Sequence, residues 1–452
     1  MRPSARLTLV GTILGSSIAF IDMTVVNVAL PRIQHDLGGG LAGQQWVVDA
    51  YLLTLGSLIL VGGSLGDIFG EVRLFAVGVA AFGVASVLCA VAPDVTTLIV
   101  FRGVQGVAGA LLTPASLAVI TATFSGPDRG AAIGTWTAWS GISTVVGPLL
   151  GGYLIEVSSW RLIFLLNVPI AAATVAIALV FMPRREGGRR STRIDVVGAT
   201  LCAAGLGGVV FGLIEQPRLG WGDPSIVAAL VGGAACFALF LAWEARTASP
   251  MLPLHLFARR NFSVTNVETL AVYGGLSAWG FFLALFLQQL SGYSPLLAGA
   301  ATLPVTLVLF ALSSQTGRLS ARYGPRIFMA AGPLLGGASL FALARLPVQL
   351  DYWVDLLPPL LGFSLGLALT VAPLTTTVLA DAGPSDAGIA SGVNNAVARI
   401  AGLVAIAGIG ILASGGSHGL TAHGFHVAML CVGALVCAGG VIGALGIQNP
   451  RK

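Results

Sequence analysis

The chain is 452 residues long, 56% hydrophobic and only 9% charged, with a formal net charge of +5. A soluble globular domain carries about a quarter charged residues, so this composition excludes a water-soluble enzyme or binding domain. It also leaves no polar folded surface from which the basic excess could grip a nucleic acid. Apolar segments of about 20 residues recur from end to end, long enough to cross a bilayer as helices. They are too long and too evenly apolar for the alternating strands of a membrane barrel.

Fourteen membrane helices are predicted, over 7–30, 46–66, 74–92, 98–122, 133–155, 160–182, 194–215, 224–245, 262–290, 296–316, 327–346, 354–380, 388–413 and 425–447. The first follows Met-Arg-Pro-Ser-Ala-Arg and is too long for the core of a cleaved leader, so an uncleaved first helix is expected. With an even number of spans both termini lie on one side. Of the 23 basic residues, 17 then fall on that side, among them Arg73, Arg129, Arg259, Arg260, Arg322 and Arg326. Arg32, Arg161, Arg218 and Arg345 fall on the other side, and Arg102 and Arg399 lie within helices. Positive residues collect on cytoplasmic loops, which puts both termini in the cytoplasm of a multi-pass inner-membrane protein.

Helix 1 carries Asp22 within an otherwise apolar run. A carboxylate at such depth costs a few kcal/mol and usually faces a bundle interior or wet cavity, where it works. From these boundaries Asp22 lies about 12 Å from the outer end, with Asp49 of helix 2 about 5 Å in and Arg102 of helix 4 at a similar level. On helix 4, Arg102, Gln105, Gly106 and Gly109 fall on one face. Helix 5 carries Gly141, Gly147, Pro148, Gly151 and Gly152. Pro148 removes a backbone donor, and Gly147 with Gly151 makes a small-residue contact surface. Trp136 and Trp139, one turn apart on helix 5, either hold planar cations or anchor the helix at the interface. The basic run PRREGGRRSTR (183–193) joins helices 6 and 7 as a solvated connector or a contact to lipid headgroups.

Glu268 of helix 9 either accepts a cationic substrate or snorkels to the interface. Arg399 of helix 13 reads as structural. His418, His423 and His426 read as a solvated loop rather than a metal site. Cys89, Cys202, Cys236, Cys431 and Cys437 have neither metal-ligand nor disulfide spacing and read as packing residues.

An internal repeat organises these spans. GSLGDIFGEVR (63–73) follows helix 2 and GRLSARYGPR (317–326) follows helix 10, with Gly63, Leu65 and Gly70 matching Gly317, Leu319 and Gly324. The two loops are eight helices apart, so two helices lie between two six-helix halves. The predicted units are an N-terminal bundle, 1–182; a basic loop with two linking helices, 183–250; and a C-terminal bundle, 251–452. Paired six-helix halves are a known transporter architecture.

At these residues the chain resembles the major facilitator superfamily, in particular its fourteen-helix drug:proton antiporter branch, and the resemblance covers nearly the whole chain. IDMTVVNVALP (21–31), GGSLGDIFG (62–70), LIVFRGVQGVAGA (98–110), GISTVVGPLLGG (141–152), WRLIFLLNVP (160–169) and LQQLSGYSPLLAG (287–299) resemble motifs of that branch, in the expected order. The loop motif departs from the family: Ile68, Glu71 and Val72 stand where basic residues are usual, so only Arg73 supplies charge near Asp67.

The resemblance implies an all-α fold of two bundles plus two linking helices and a monomer in the lipid bilayer. It implies no cofactor, and no phosphate-binding loop is present that would let ATP drive the cycle. The expected function is proton-coupled export of small amphipathic or cationic drugs by alternating access. Asp22, Arg102 and Asp49 are assigned to proton coupling. Asp22, Asp49, Glu268, Trp136, Trp139 and Gln105 are assigned to substrate. Gly63, Asp67, Gly70, Gly141, Gly147, Pro148, Gly151 and Gly152 are assigned to gating. A dedicated exporter of a self-made antibiotic or metabolite shares every motif. A proton symporter for a nutrient is disfavoured by the Gly147–Pro148 segment, and a sensor by the lack of a soluble signalling domain.

Overall fold

A computed structural model describes residues 3–182, 194–382, 387–413 and 420–449. The basic run 183–193, His418 and the Asp67 side chain lie outside the described residues. Lipid offers the backbone no hydrogen bonds, so a spanning segment must satisfy its own amides and carbonyls, and these segments do so as helices. Fourteen are long and apolar enough to cross a membrane. They are α1 (Ala5–Leu37), α2 (Gly40–Gly66), α3 (Glu71–Ala90), α4 (Val95–Thr123), α5 (Ala131–Val157), α6 (Arg161–Phe181) and α7 (Val196–Leu219). The remainder are α8 (Pro224–Glu244), α9 (Arg260–Leu290), α10 (Pro295–Tyr323), α11 (Pro325–Leu343), α12 (Tyr352–Asp381), α13 (Ile389–Ala413) and α14 (Ala422–Gly446).

The number of spans agrees with the sequence reading, but several helices outrun their apolar cores. Helix α1 continues past Pro31 to Leu37, because polar residues at its end are also bonded. Asp36 pairs with Arg32 and accepts a 3.0 Å hydrogen bond from the fully buried Trp160. Helix α2 begins at Gly40 rather than near 46. These longer helices correct the depths reckoned from hydropathy. Asp22 lies fifteen residues, about 22 Å, from the far end of α1; Asp49 lies about 13 Å into α2, and Arg102 about 10 Å into α4.

The helix ends are closed by specific groups. Asp94 caps α4 by accepting from the Thr97 amide at 2.8 Å, and Thr421 caps α14 through the Gly424 amide. At the opposite ends, arginines bond terminal carbonyls. Arg129 donates to Phe124 after α4, Arg259 to Asp381 at the end of α12, and Arg260 and Arg326 to Gly446 and Ala444 of α14. Cations there complement both the unsatisfied carbonyls and the helix dipole.

The chain forms two compact units, Met1–Gly208 with Gly232–Met251, and Val209–Val231 with Leu252–Lys452. The linking helices α7 and α8 are divided between them. In the first unit Trp243 near the end of α8 donates to Asp195 just before α7. Within the first half, α1 packs on α4, α5 and α6; α2 packs on α4; and α3 packs on α4 and α6. Within the second half, α9 packs on α12, α13 and α14; α10 packs on α12; and α11 packs on α12 and α14. Adding eight to each helix number converts the first set into the second. The repeated loops agree to the level of backbone angles. Gly70 has φ 90° and ψ 133°, Gly324 has φ 90° and ψ 150°, and each joins two helices with no further residue between them, the α2 helix continuing beyond its apolar span to Phe69. A side chain disfavours that positive φ, and glycine does not.

Candidate functional site

Asp22, Arg102 and Gln105 meet in the interior of the first unit, and all three are at most 1% exposed. Arg102 Nη1 lies 2.5 Å from Asp22 Oδ2. Gln105, one turn along α4 from Arg102, donates through Nε2 to Asp22 Oδ1 at 2.9 Å and accepts from Arg102 through Oε1 at 2.6 Å. Asn167 of α6 donates to Asp22 Oδ1 at 3.3 Å, and both Asn167 and Gln105 donate to the Ser86 hydroxyl of α3. Helix α2 adds the Val47 carbonyl, which accepts from Arg102 Nε at 3.0 Å, and the Tyr51 ring, 4.4 Å from the guanidinium carbon. Five helices thus bring polar groups to one buried ion pair. A buried pair is tolerated when further hydrogen bonds satisfy its remaining donors and acceptors, and here both carboxylate oxygens of Asp22 are held.

Glycines make that convergence possible. A side-chain carbon at Gly106 would meet the Tyr51 carbonyl and Thr54 of α2, and one at Gly109 would come within 3.3 Å of the Tyr51 hydroxyl. Thr54 donates to the Gly103 carbonyl at 2.8 Å. On the other flank Gly147 lies against Ile21 and Thr24, and Gly151 against Val25, so α5 touches α1 on either side of Asp22 in sequence. Gly152 is buried as well, whereas Gly63 and Gly141 have open space beside them. Pro148 lies inside α5.

Asp49 does not join this network. It is fully buried, yet neither carboxylate oxygen has a hydrogen-bond partner among the described residues. Helical geometry gives the reason. Val47 and Tyr51, one turn apart, share the face of α2 that meets Arg102, while Asp49 is displaced by about 200° from Val47. The three charges share a half of the molecule without forming one cluster.

The remaining expectations meet mixed outcomes. Glu268 does not snorkel: it is 0% exposed and both of its oxygens lack partners among the described residues, because α9 turns it inward against α14. Trp136 is bonded to Ser16 at 2.9 Å and packed edge-on to Phe20, while Trp139 is half exposed. His426 donates to the Leu346 carbonyl. Asn167 and Ser86 were not singled out from the sequence. Asn167 was findable, since an amide amid LIFLLNVP needs a buried partner. Ser86 carries little signal, because a serine in a helix can bond its own backbone. Cys89, read as packing, also donates weakly to Gln105.

The sequence profile described as Major Facilitator Superfamily matches residues 12–406. The chain is 36% identical over 440 residues to the puromycin resistance protein pur8 of Streptomyces alboniger, covering 92% of this chain and 86% of that one. It is 32% identical to the multidrug resistance protein Stp of Mycobacterium tuberculosis, with 94% and 79% covered. It is 34% identical to the methylenomycin A resistance protein of Bacillus subtilis, with 88% and 85% covered. Among solved structures, a bacterial homologue of the human lysosomal transporter Spinster superposes with a TM-score of 0.70 at 17% identity, covering 99% and 97% of the two chains. A peptide transporter of the POT type superposes with a TM-score of 0.71 at 16% identity, with 96% and 92% covered. At such identities the likeness concerns the fold.

Proposed function

Since the chain belongs to the Major Facilitator Superfamily, we propose that it exports small amphipathic or cationic molecules from the cytoplasm in exchange for protons, by alternating access. The observation that carries this reading is the wholly buried Asp22–Arg102 pair, held by groups from five helices. A proton on Asp22 would neutralise one partner and leave the guanidinium charged in a dry interior. One-sided loss of a buried pair costs about 3–5 kcal/mol. The protein avoids that cost only by rearranging the helices that meet there, and this ties protonation to conformation. Among the described residues Asp49 has no hydrogen-bond partner to balance a negative charge, and a buried charge without one is cheaper neutralised. It therefore holds a proton in this arrangement and is the second coupling group.

In the forward cycle a proton from outside reaches the acids as substrate leaves outward, and the reset carrier releases it inward. Gly147 and Gly151 give α5 a smooth surface on α1 beside the pair, and Gly63 and Gly70 supply bending freedom around Asp67 between α2 and α3. The distribution of basic residues supports a cytoplasmic position for both termini. Trp139 is open enough to meet a planar substrate, whereas Trp136 serves packing. The names of the puromycin and methylenomycin A relatives favour a narrower second reading, export of a particular antibiotic. A growth-inhibition panel separates one protected compound from many.

The central test is dye efflux from cells with and without an uncoupler. Asp22→Asn is expected to lower proton-driven efflux at least tenfold at unchanged protein level. Asp49→Asn, which mimics the protonated group, should shift the pH dependence of efflux without loss of folding. Undiminished efflux in Asp22→Asn defeats the assignment.

A further inference from the structure

The second unit contains a buried acid that the scheme above does not use. Glu268 of α9 is 0% exposed, and both carboxyl oxygens lack a hydrogen-bond partner among the described residues. One turn earlier the Thr265 hydroxyl is likewise buried and without a partner. Helix α14 makes room for the carboxyl with glycines: a side-chain carbon at Gly443 would stand 2.7 Å from Glu268 Oε2, and one at Gly439 would stand 3.8 Å from Cγ. The built space therefore belongs to the acid and is kept free of side chains by the facing helix.

Among the described residues no hydrogen-bond partner answers Glu268. From α13, Asn394 donates to Asn266 and Thr269, its neighbours on α9, and not to Glu268. Arg399 stands further along α13 than Asn394. Asp381 of α12 accepts from the Phe262 amide, six residues before Glu268. The facing turns of α14 bring Gly439 and Gly443 against it.

Nor is Glu268 the counterpart of Asp22. Gly70 and Gly324 are equivalent and stand 254 residues apart, and the ends of α1 and α9 agree with that offset to within a residue. The same offset carries Asp22 to Leu276. Glu268 lies two turns, about 12 Å, nearer the start of its helix. The halves thus place their buried acids at different levels, and among the described residues Glu268 has no hydrogen-bond partner to match the arginine that holds Asp22.

We propose that Glu268 binds and releases a proton in each transport cycle, as a coupling site of the C-terminal half that is separate from the Asp22–Arg102 pair and from Asp49. The proton adds to a carboxylate oxygen from one face of the membrane and leaves toward the other as α14 shifts on α9. No bond other than O–H forms or breaks. The direction of proton flow rests on the efflux reading; the existence of the site does not.

The test uses the full chain, purified and reconstituted in lipid. Infrared difference spectra between acid and alkaline pH should show a protonated-carboxyl carbonyl band that moves when glutamate is labelled with 13C. The band should be absent from Glu268→Gln, displaced in Glu268→Asp and retained in Asp22→Asn. The labelled wild type reads the site without any variant. A spectrum with no glutamate band, or one unchanged in Glu268→Gln, overturns the proposal while leaving the efflux reading intact. With substrate inside the vesicles and no membrane potential, the limiting substrate ratio per pH unit should fall about tenfold in Glu268→Gln, the worth of one coupled proton. An unchanged limiting ratio with only a raised KM would assign Glu268 to substrate binding and overturn the proton role. A glutamate band in a protein that moves no substrate would sink the efflux reading and keep the proton site.

Discussion

In the first half the buried acid on the leading helix is Asp22, gripped by Arg102, Gln105 and Asn167. In the second half the same place on α9 is Leu276, and the buried acid, Glu268, stands two turns away with no partner among the described residues. The helices around both are packed in the same pairs. The duplicated plan fixes which helices touch, and leaves open where a charge is held and how it is balanced. A paired acid couples protonation to the arrangement of its partners; a lone acid in a dry pocket registers only whether solvent reaches it.

Removing the arginine is the harshest way to break this contrast. Arg102→Ala leaves Asp22 buried without its counter-charge and is expected to cost about 3–5 kcal/mol, with loss of efflux. Thermal unfolding of the purified protein should show a large drop in Tm. The double variant Asp22→Asn with Arg102→Gln should recover much of that stability without recovering transport. Glu268 has no hydrogen-bond partner among the described residues to lose, so Glu268→Gln should leave Tm nearly unchanged.

A smaller effect compares the repeated loops. Alanine at either Gly70 or Gly324 meets a positive φ that costs about 1–3 kcal/mol. At Gly324 the added carbon would also meet the Asn449 side chain. Gly324→Ala should therefore lower Tm beyond what backbone strain accounts for. A loss no larger than that strain would show that backbone strain alone governs this connector.

The smallest effect concerns Asp94, at the exposed start of α4. Hydrogen bonds from the Thr97 amide and hydroxyl hold its carboxyl below the usual carboxylate range. A lowered folded-state value means that the cap contributes above the unfolded value and is lost as pH falls through the folded one. Hydrogen exchange at the start of α4 should quicken on acidification, and Asp94→Asn, which caps without titrating, should remove that pH dependence.

Much of this was legible in the amino-acid order. Asp22, Arg102 and Gln105 stand out because charged and amide groups in lipid-length segments need buried partners, and i, i+3 spacing puts Arg102 and Gln105 on one face. Asp49 was equally visible, but its separation from the pair was not. That depended on which face of α2 meets α4, and this is set by Gly103, Gly106 and Thr54 across the contact. Glu268 was visible as a charge, but the sequence left substrate contact and the interface equally open, since hydropathy cannot see that α14 turns glycines toward it.

The sequence by itself determined the fourteen helices, their six-two-six order and the positions of the charges, because lipid forces every spanning backbone to satisfy itself locally and makes each polar residue conspicuous. Only the tertiary structure decided which charges are paired, how deep they lie and which remain alone. Those outcomes depend on side chains from helices far apart in the chain meeting at a few ångströms, and local pattern carries no record of that distance.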